Sequence, residues 1–212
     1  MSELVECIKR KFQIDGNVSI VVSGIIGIGK TTLCKQIVRE NSEISLVEEK
    51  FDENPYLEDF YKNKKEFATK TQFHFLSERF DQAKKTEILM KGKDVIFDRH
   101  FIEDYAFALC NFNEGNINET DFLMYTKLYN NILDCVAKPT IVLYLRAAPE
   151  ICHARICSRN RSIESDIPLD YLLHLNDAYE TFFEEYSKTN KVITLDWNDF
   201  SNRNLVEKIE EF

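Results

Sequence analysis

The sequence is poor in positive charge: 27 lysines and arginines stand against 36 aspartates and glutamates over 212 residues, giving a net charge of -9 and a pI near 5.1. A surface of that sign repels long polyanions, so a nucleic-acid polymer is excluded as the expected partner, while a small anion in a local basic pocket is not. No uninterrupted apolar run approaches the roughly 20 residues that cross a bilayer. The first residues, Met1-Ser2-Glu3-Leu4-Val5-Glu6, carry acids where a targeting segment carries bases. A cytoplasmic protein without a membrane partner is expected. Cys7, Cys34, Cys110, Cys135, Cys152 and Cys157 form no Cys-x-x-Cys pair, and the four histidines lack ligand spacing, so neither a disulfide frame nor a zinc site is expected. Four prolines and six glycines never gather into a linker, and no segment repeats. Residues 1–212 are therefore expected to form one domain.

What is present begins with the β-branched run 18–23, which leads into Gly24-Ile25-Ile26-Gly27-Ile28-Gly29-Lys30-Thr31-Thr32 and then a helix-forming segment. This is the P-loop pattern G-x-x-x-x-G-K-[ST] in its strand, loop, helix setting. The glycines let successive backbone N–H groups turn inward, the helix N-terminus adds positive potential, and Lys30 reaches the outer phosphates. Thr31 can place its hydroxyl on Mg²⁺. The motif identifies a triphosphate site and leaves its use open.

Further β-rich runs at 45–48, 94–98, 140–145 and 192–196 alternate with longer segments of helical periodicity, among them Phe67, Phe73, Leu76, Phe80 and Ala83, then Leu123, Leu128, Ile132 and Val136. Alternation of this kind predicts an α/β fold with a parallel sheet covered on both faces and a ligand site beyond the carboxyl ends of the strands. The polar stretch 111–121 is expected to be a surface loop.

The strand ends carry the chemistry. The second closes on Glu48-Glu49, where a carboxylate can deprotonate an incoming hydroxyl or simply be solvated. The third closes on Asp98-Arg99-His100: Asp98 can hold Mg²⁺ directly or through water, and Arg99 can neutralise phosphate or orient a carboxylate. After the fourth, Arg155 and Arg159 share a helix face at i, i+4 and Arg161 follows, which suits a lid over transferring phosphates.

Together these pieces resemble the deoxyribonucleoside kinases, from about residue 18 to the C-terminus. The likeness rests on the P-loop, on 49–61 with Asn54-Pro55-Tyr56-Leu57, on Asp98-Arg99, on Arg155-x-x-x-Arg159-x-Arg161, and on Ile167-Pro168-Leu169 with Tyr171 and Leu172. It implies a P-loop kinase fold with a central five-stranded parallel sheet, helices on both faces and an arginine-bearing lid at about 155–166. It implies phosphoryl transfer from ATP·Mg²⁺ to the 5'-hydroxyl of a deoxynucleoside, a role in nucleotide salvage, and a homodimer. By the same resemblance Glu49 is the general base with Arg99 beside it, Tyr61 and Glu164 hold the sugar 3'-hydroxyl, and Gln72 reads the base edge. Arg79 and Asp104 match the pair that meets the base in members acting on deoxycytidine, deoxyadenosine or deoxyguanosine, although Glu103 competes with Asp104 for that place. A carboxylate there accepts from an exocyclic amine or from guanine N1–H and repels the O4 of thymine.

The chain departs from the pattern in Lys50-Phe51 after Glu49, in Glu48 as a rival base, in the bulk of Phe75, and in His100, which resembles the Asp-Arg-His of herpesviral thymidine kinases and keeps thymidine open. Phe73 and Phe107 are candidates for base-stacking walls. Two competing expectations are a thymidylate or other nucleoside monophosphate kinase, which needs more basic groups near the acceptor, and a non-enzymatic nucleotide-binding switch, which needs an Asn-Lys-x-Asp segment that this sequence lacks.

Overall fold

The computed structural model describes residues 3–49, 53–159, 167–199 and 205–211. The five β-rich runs form β1 (Ser19–Ser23), β2 (Ser45–Val47), β3 (Val95–Asp98), β4 (Ile141–Arg146) and β5 (Val192–Asp196). All pair parallel, in the order β2-β3-β1-β4-β5. Consecutive strand residues point to opposite faces, so the unbroken burial of β1 and β3 means that both faces of the sheet are covered there. The edge strand β5 instead exposes Thr194 and Asp196.

The helices are α1 (Glu3–Phe12), α2 (Lys30–Glu40), α3 (Leu57–Lys62), α4 (Lys64–Met90), α5 (Asp104–Asn113), α6 (Glu119–Leu133), α7 (Pro149–Arg159), α8 (Leu169–Tyr186) and α9 (Leu205–Glu211). Among the described residues no helix is long and apolar enough to cross a membrane. The chain lays β2 and β3 on one side of β1 and β4 and β5 on the other, which opens a crevice at the carboxyl end of β1. Register decides what meets there. Val22 is level with Asp98, and Val47 is level with Phe97, so Glu49 and Arg99, two residues beyond that last pair, emerge side by side.

Two expectations are corrected. Residues 111–121 are not one loop: α5 runs through Asn113 and α6 starts at Glu119, because Asn118 accepts a hydrogen bond from the Asp121 N–H at 2.9 Å and caps the helix. The polar residues that look like a turn are largely helix ends. On α6 the helical period holds but its buried face is Tyr125, Tyr129 and Ile132, while Leu123 and Leu128 point outward.

Candidate active site

The loop after β1 is shaped by glycine. Gly24, Gly27 and Gly29 take φ of 144°, 83° and 108°, and a Cβ on Gly27 would lie 2.5 Å from the Cys152 carbonyl oxygen of α7. Lys30, the first residue of α2, is buried and donates to the carbonyls of Gly24 and Ile25 at 2.8 and 2.9 Å. Burial, with Arg99 next in weight, brings its pKa down to about 8. Ile25, Ile26 and Ile28 are buried, Thr31 is half-buried and Thr32 exposed. Arg155 ties this loop to the end of β5 by donating to Ile28 O at 3.2 Å, Trp197 O at 3.1 Å and Asn198 O at 3.0 Å. Arg159 is exposed at the end of α7, and Arg161, Glu164 and the rest of the expected lid lie outside the described residues.

A protonated Lys30 is costly to bury, and a triphosphate bound in this loop would supply the countercharge that raises its pKa again. Above pH 8 binding therefore takes up a proton, and affinity for ATP is expected to fall roughly tenfold between pH 8 and pH 9.5. Below pH 8 the lysine is charged in both states and affinity should be flat. The sign for stability is opposite to that of a salt-bridged lysine. With the folded pKa below the unfolded value of about 10.4, the burial penalty is full below pH 8 and is relieved between the two values. Calorimetric titration in buffers of different ionisation heat measures the proton uptake; none at pH 9 would remove this role from Lys30.

Beside the loop, Asp98 is buried, and the Thr31 hydroxyl hydrogen-bonds to it. Burial is the largest influence and lifts its pKa despite the opposition of Lys30 and Thr31. Its Oδ1 has no partner among the described residues. A buried carboxylate oxygen without a donor, next to a P-loop hydroxyl, fits a hard divalent cation that takes its remaining ligands from phosphate and water.

On the other side of the crevice a cavity of about 520 Å³, its open mouth included, is walled by Ile26, Glu49, Tyr61, Gln72, Phe75, Arg79, Arg99, Asp104 and Phe107, with Leu57, Phe60, Thr71 and Tyr171 completing it. The size suits a small-molecule ligand. Glu49 forms its centre. Its Oε1 accepts from Arg79 Nη2 at 2.5 Å and its Oε2 from Arg99 Nε at 2.9 Å. Burial works to raise its pKa, but Arg99, Arg79 and Lys30 together leave it below the usual carboxylate value. Glu48, one residue earlier, is exposed and pairs with Lys35 at 2.8 Å.

Arg79 also pairs with Asp104, whose Oδ2 has no partner among the described residues. Asp104, not Glu103, meets Arg79. Phe107 is a cavity wall with the Arg99 guanidinium 4.9 Å from its ring centroid, whereas Phe73 packs on Tyr125 between helices. His100 is buried between Phe97 and Phe101, accepts from Ile102 N–H at 3.4 Å, and is pushed down to a pKa of about 3 by burial. It does not line the cavity, so the Asp-Arg-His likeness carries no argument for thymidine.

Sequence patterns did not reveal two buried groups behind this site, Ser23 and Tyr179, and offered a third, Glu103, only as a rival of Asp104.

The family model described as deoxynucleoside kinase matches residues 20–212. The deoxyadenosine kinase of Dictyostelium discoideum is 34% identical over 181 residues, which cover 85% of this chain and 73% of that one. The deoxyguanosine kinase of Bacillus subtilis (strain 168) is 30% identical over 196 residues, 91% of each. The solved structure of deoxyadenosine kinase from M. mycoides with products dCMP and a flexible dCDP bound superposes with a TM-score of 0.78 at 30% identity, covering 91% of this chain and 95% of that one. With all but its first 19 residues matched, and a P-loop facing an arginine-flanked carboxylate, the chain belongs to the deoxynucleoside kinase family.

Proposed function

We propose that the chain transfers the γ-phosphoryl group of ATP to the 5'-hydroxyl of a deoxynucleoside, and that it prefers deoxyadenosine, deoxyguanosine and deoxycytidine over thymidine. The observation that carries this preference is Asp104, held by Arg79 on the cavity wall with one oxygen unpartnered among the described residues. Relatives named for deoxyadenosine and deoxyguanosine support it, as does dCMP in the M. mycoides enzyme.

In this reading Lys30 and the loop N–H groups of 24–32 hold the donor phosphates. Glu49 uses two of about four lone-pair positions for Arg79 and Arg99, which leaves acceptor capacity for the 5'-hydroxyl proton. Arg99 keeps that carboxylate ionised and oriented, Gln72 meets the base edge, and Tyr61 with Glu164 holds the 3'-hydroxyl. Arg155, which also holds the loop through Ile28 O, carries positive charge to the transferring group together with Arg159 and Arg161. Thr31 and Asp98 would hold Mg²⁺, which when bound draws negative charge from the phosphate oxygens. Residues 1–212 act as one cytoplasmic kinase unit in nucleotide salvage, with the lid at about 155–166.

Purified protein with ATP and Mg²⁺ against the four deoxynucleosides and their four monophosphates tests the reading. Turnover should rank thymidine last by roughly fivefold or more, the effect of one mispaired buried polar group of about 1 to 3 kcal/mol. Turnover on the monophosphates alone would replace it with a monophosphate kinase, and binding without turnover with a nucleotide switch.

We further propose a homodimer through α4 and α6. These helices run side by side, with Phe73 against Tyr125 and Lys84 donating to Cys135 O. Their outer surface leaves Ile88, Leu89, Leu123, Met124 and Leu128 exposed, Leu123 and Met124 by 62% each. Paired helices from a second copy would cover them. Leu123→Glu with Leu128→Glu is expected to halve the sedimenting mass while helical circular dichroism is kept; a wild-type protein already monomeric at micromolar concentration would defeat the proposal.

A further inference from the structure

Glu103 closes the short 3₁₀ turn Phe101–Glu103, immediately before Asp104, and is 0% exposed. Complete burial of a carboxylate is unfavourable unless every lone pair is used. Here Oε2 accepts from Ser23 Oγ at 2.5 Å and from Tyr179 OH at 2.7 Å, with Gly24 N and Arg99 Nη1 both at 3.5 Å, while Oε1 accepts from His100 N–H at 3.2 Å. Tyr179 relays the contact onward: its hydroxyl accepts from Arg99 Nη1 at 2.7 Å as it donates to Glu103. Arg99 in turn holds Glu49.

The donors come from the two halves of the site. Ser23 ends β1 and Gly24 begins the phosphate-binding loop, whereas Arg99 flanks the acceptor carboxylate. Arg99 also carries φ of 73°, a left-handed backbone that non-glycine residues adopt only when their surroundings fix it. The Glu103 bond to the next N–H, that of His100, is part of what fixes it.

Resting on the kinase function proposed above, we propose that Glu103 is a positioning residue that joins the phosphate-binding loop to the acceptor-side pair Arg99 and Glu49. Movement of Gly24 when phosphates settle is passed through one carboxylate and the Tyr179 hydroxyl to Arg99, so that the nucleoside site is set by the occupied donor site. Reciprocally, nucleoside held by Glu49 steadies the loop, because coupling between two binding sites is the same in both directions.

Glu103→Gln keeps the shape but leaves a single acceptor oxygen, which can serve Ser23 and Tyr179 or the His100 N–H but not both sides; on the other side the amide NH2 now meets a donor. The expected result is a fall in kcat of about 10- to 100-fold, the scale of a small misplacement of reacting groups, with both KM values within about threefold. In the unaltered protein, a non-hydrolysable ATP analogue should tighten nucleoside binding in calorimetry; in Glu103→Gln that enhancement should disappear while each ligand alone still binds. A merely structural Glu103 would lower Tm and weaken both ligands alike, which would overturn the proposal, as would an unchanged kcat. If Glu103→Gln does not fold, Ser23→Ala and Tyr179→Phe each remove one donor and should each reduce the enhancement; enhancement intact in both overturns it. Should the unaltered protein phosphorylate no deoxynucleoside, the kinase reading fails instead.

Discussion

Replacing Glu49 with alanine is expected to lower kcat by about a hundredfold or more while ATP still binds, because the substitution removes the proposed proton acceptor and none of the groups proposed to hold the donor phosphates. The separation is possible because Glu49 and Lys30 stand on different strand ends, β2 and β1, on two sides of β3. A carboxylate held below its ordinary pKa by two guanidinium groups is a modest base, which suits phosphoryl transfer: in a loose transition state the proton leaves late, and orientation of the hydroxyl matters more than basicity. The depressed pKa also places the acid limb of the unaltered enzyme below about pH 4.3, the ordinary glutamate value. The same ion pairs stabilise the fold above the unfolded pKa, and that contribution is lost as pH falls through the folded one. In Glu49→Ala, Arg79 keeps Asp104 and Arg99 keeps Tyr179 and Glu103, so the chain should remain folded. Single-turnover kinetics beside an ATP-binding titration measures the two effects separately. Turnover within tenfold of the unaltered enzyme would remove Glu49 from the role of base.

The sheet was legible because its inner strands β1, β3 and β4 are buried almost throughout and read as short apolar runs, and the phosphate loop because glycine spacing is forced by backbone approach, as the Cys152 carbonyl beneath Gly27 demonstrates. Adjacent acids were harder. Glu48 and Glu49 follow the end of β2 with different partners, Lys35 at the surface for one and Arg79 with Arg99 for the other, and Glu103 and Asp104 lie where a 3₁₀ turn passes into α5, so one residue separates a cavity wall from the surface or the interior. Composition cannot show phase at such a junction. Nor can it show Tyr179, which reaches Arg99 and Glu103 from helix α8, about 80 residues away in sequence, and looks like any core aromatic. On α6 the apolar period led to Leu123 and Leu128, but the buried face is aromatic: Tyr129 donates to Ile102 O at 2.6 Å, and Tyr125, whose hydroxyl has no partner among the described residues, packs its ring on Phe73 and Tyr129. The leucines were left outside.

Arg79→Met is expected to destabilise the protein by about 3 to 5 kcal/mol, since it strands the 1%-exposed Asp104 without its countercharge. Adding Asp104→Ala should restore most of the loss, because removing both members of a buried pair also removes the desolvation penalty of each. Denaturant unfolding of the two single variants and the double variant measures this recovery. The double variant then isolates substrate choice. Both nucleosides lose the Arg79 support of Glu49 alike, so kcat falls for each, and the ratio of kcat/KM values for deoxyadenosine and thymidine cancels that common loss. What remains is the wall itself. In the proposed reading Asp104 accepts from the exocyclic amine and opposes O4 of thymine, so its removal should shift the ratio toward thymidine by roughly 5- to 150-fold, the equivalent of about 1 to 3 kcal/mol. Recovered stability with an unchanged ratio would mean that Arg79 and Asp104 only brace α4 against α5, and selection would then have to come from Gln72 and the aromatic walls around it.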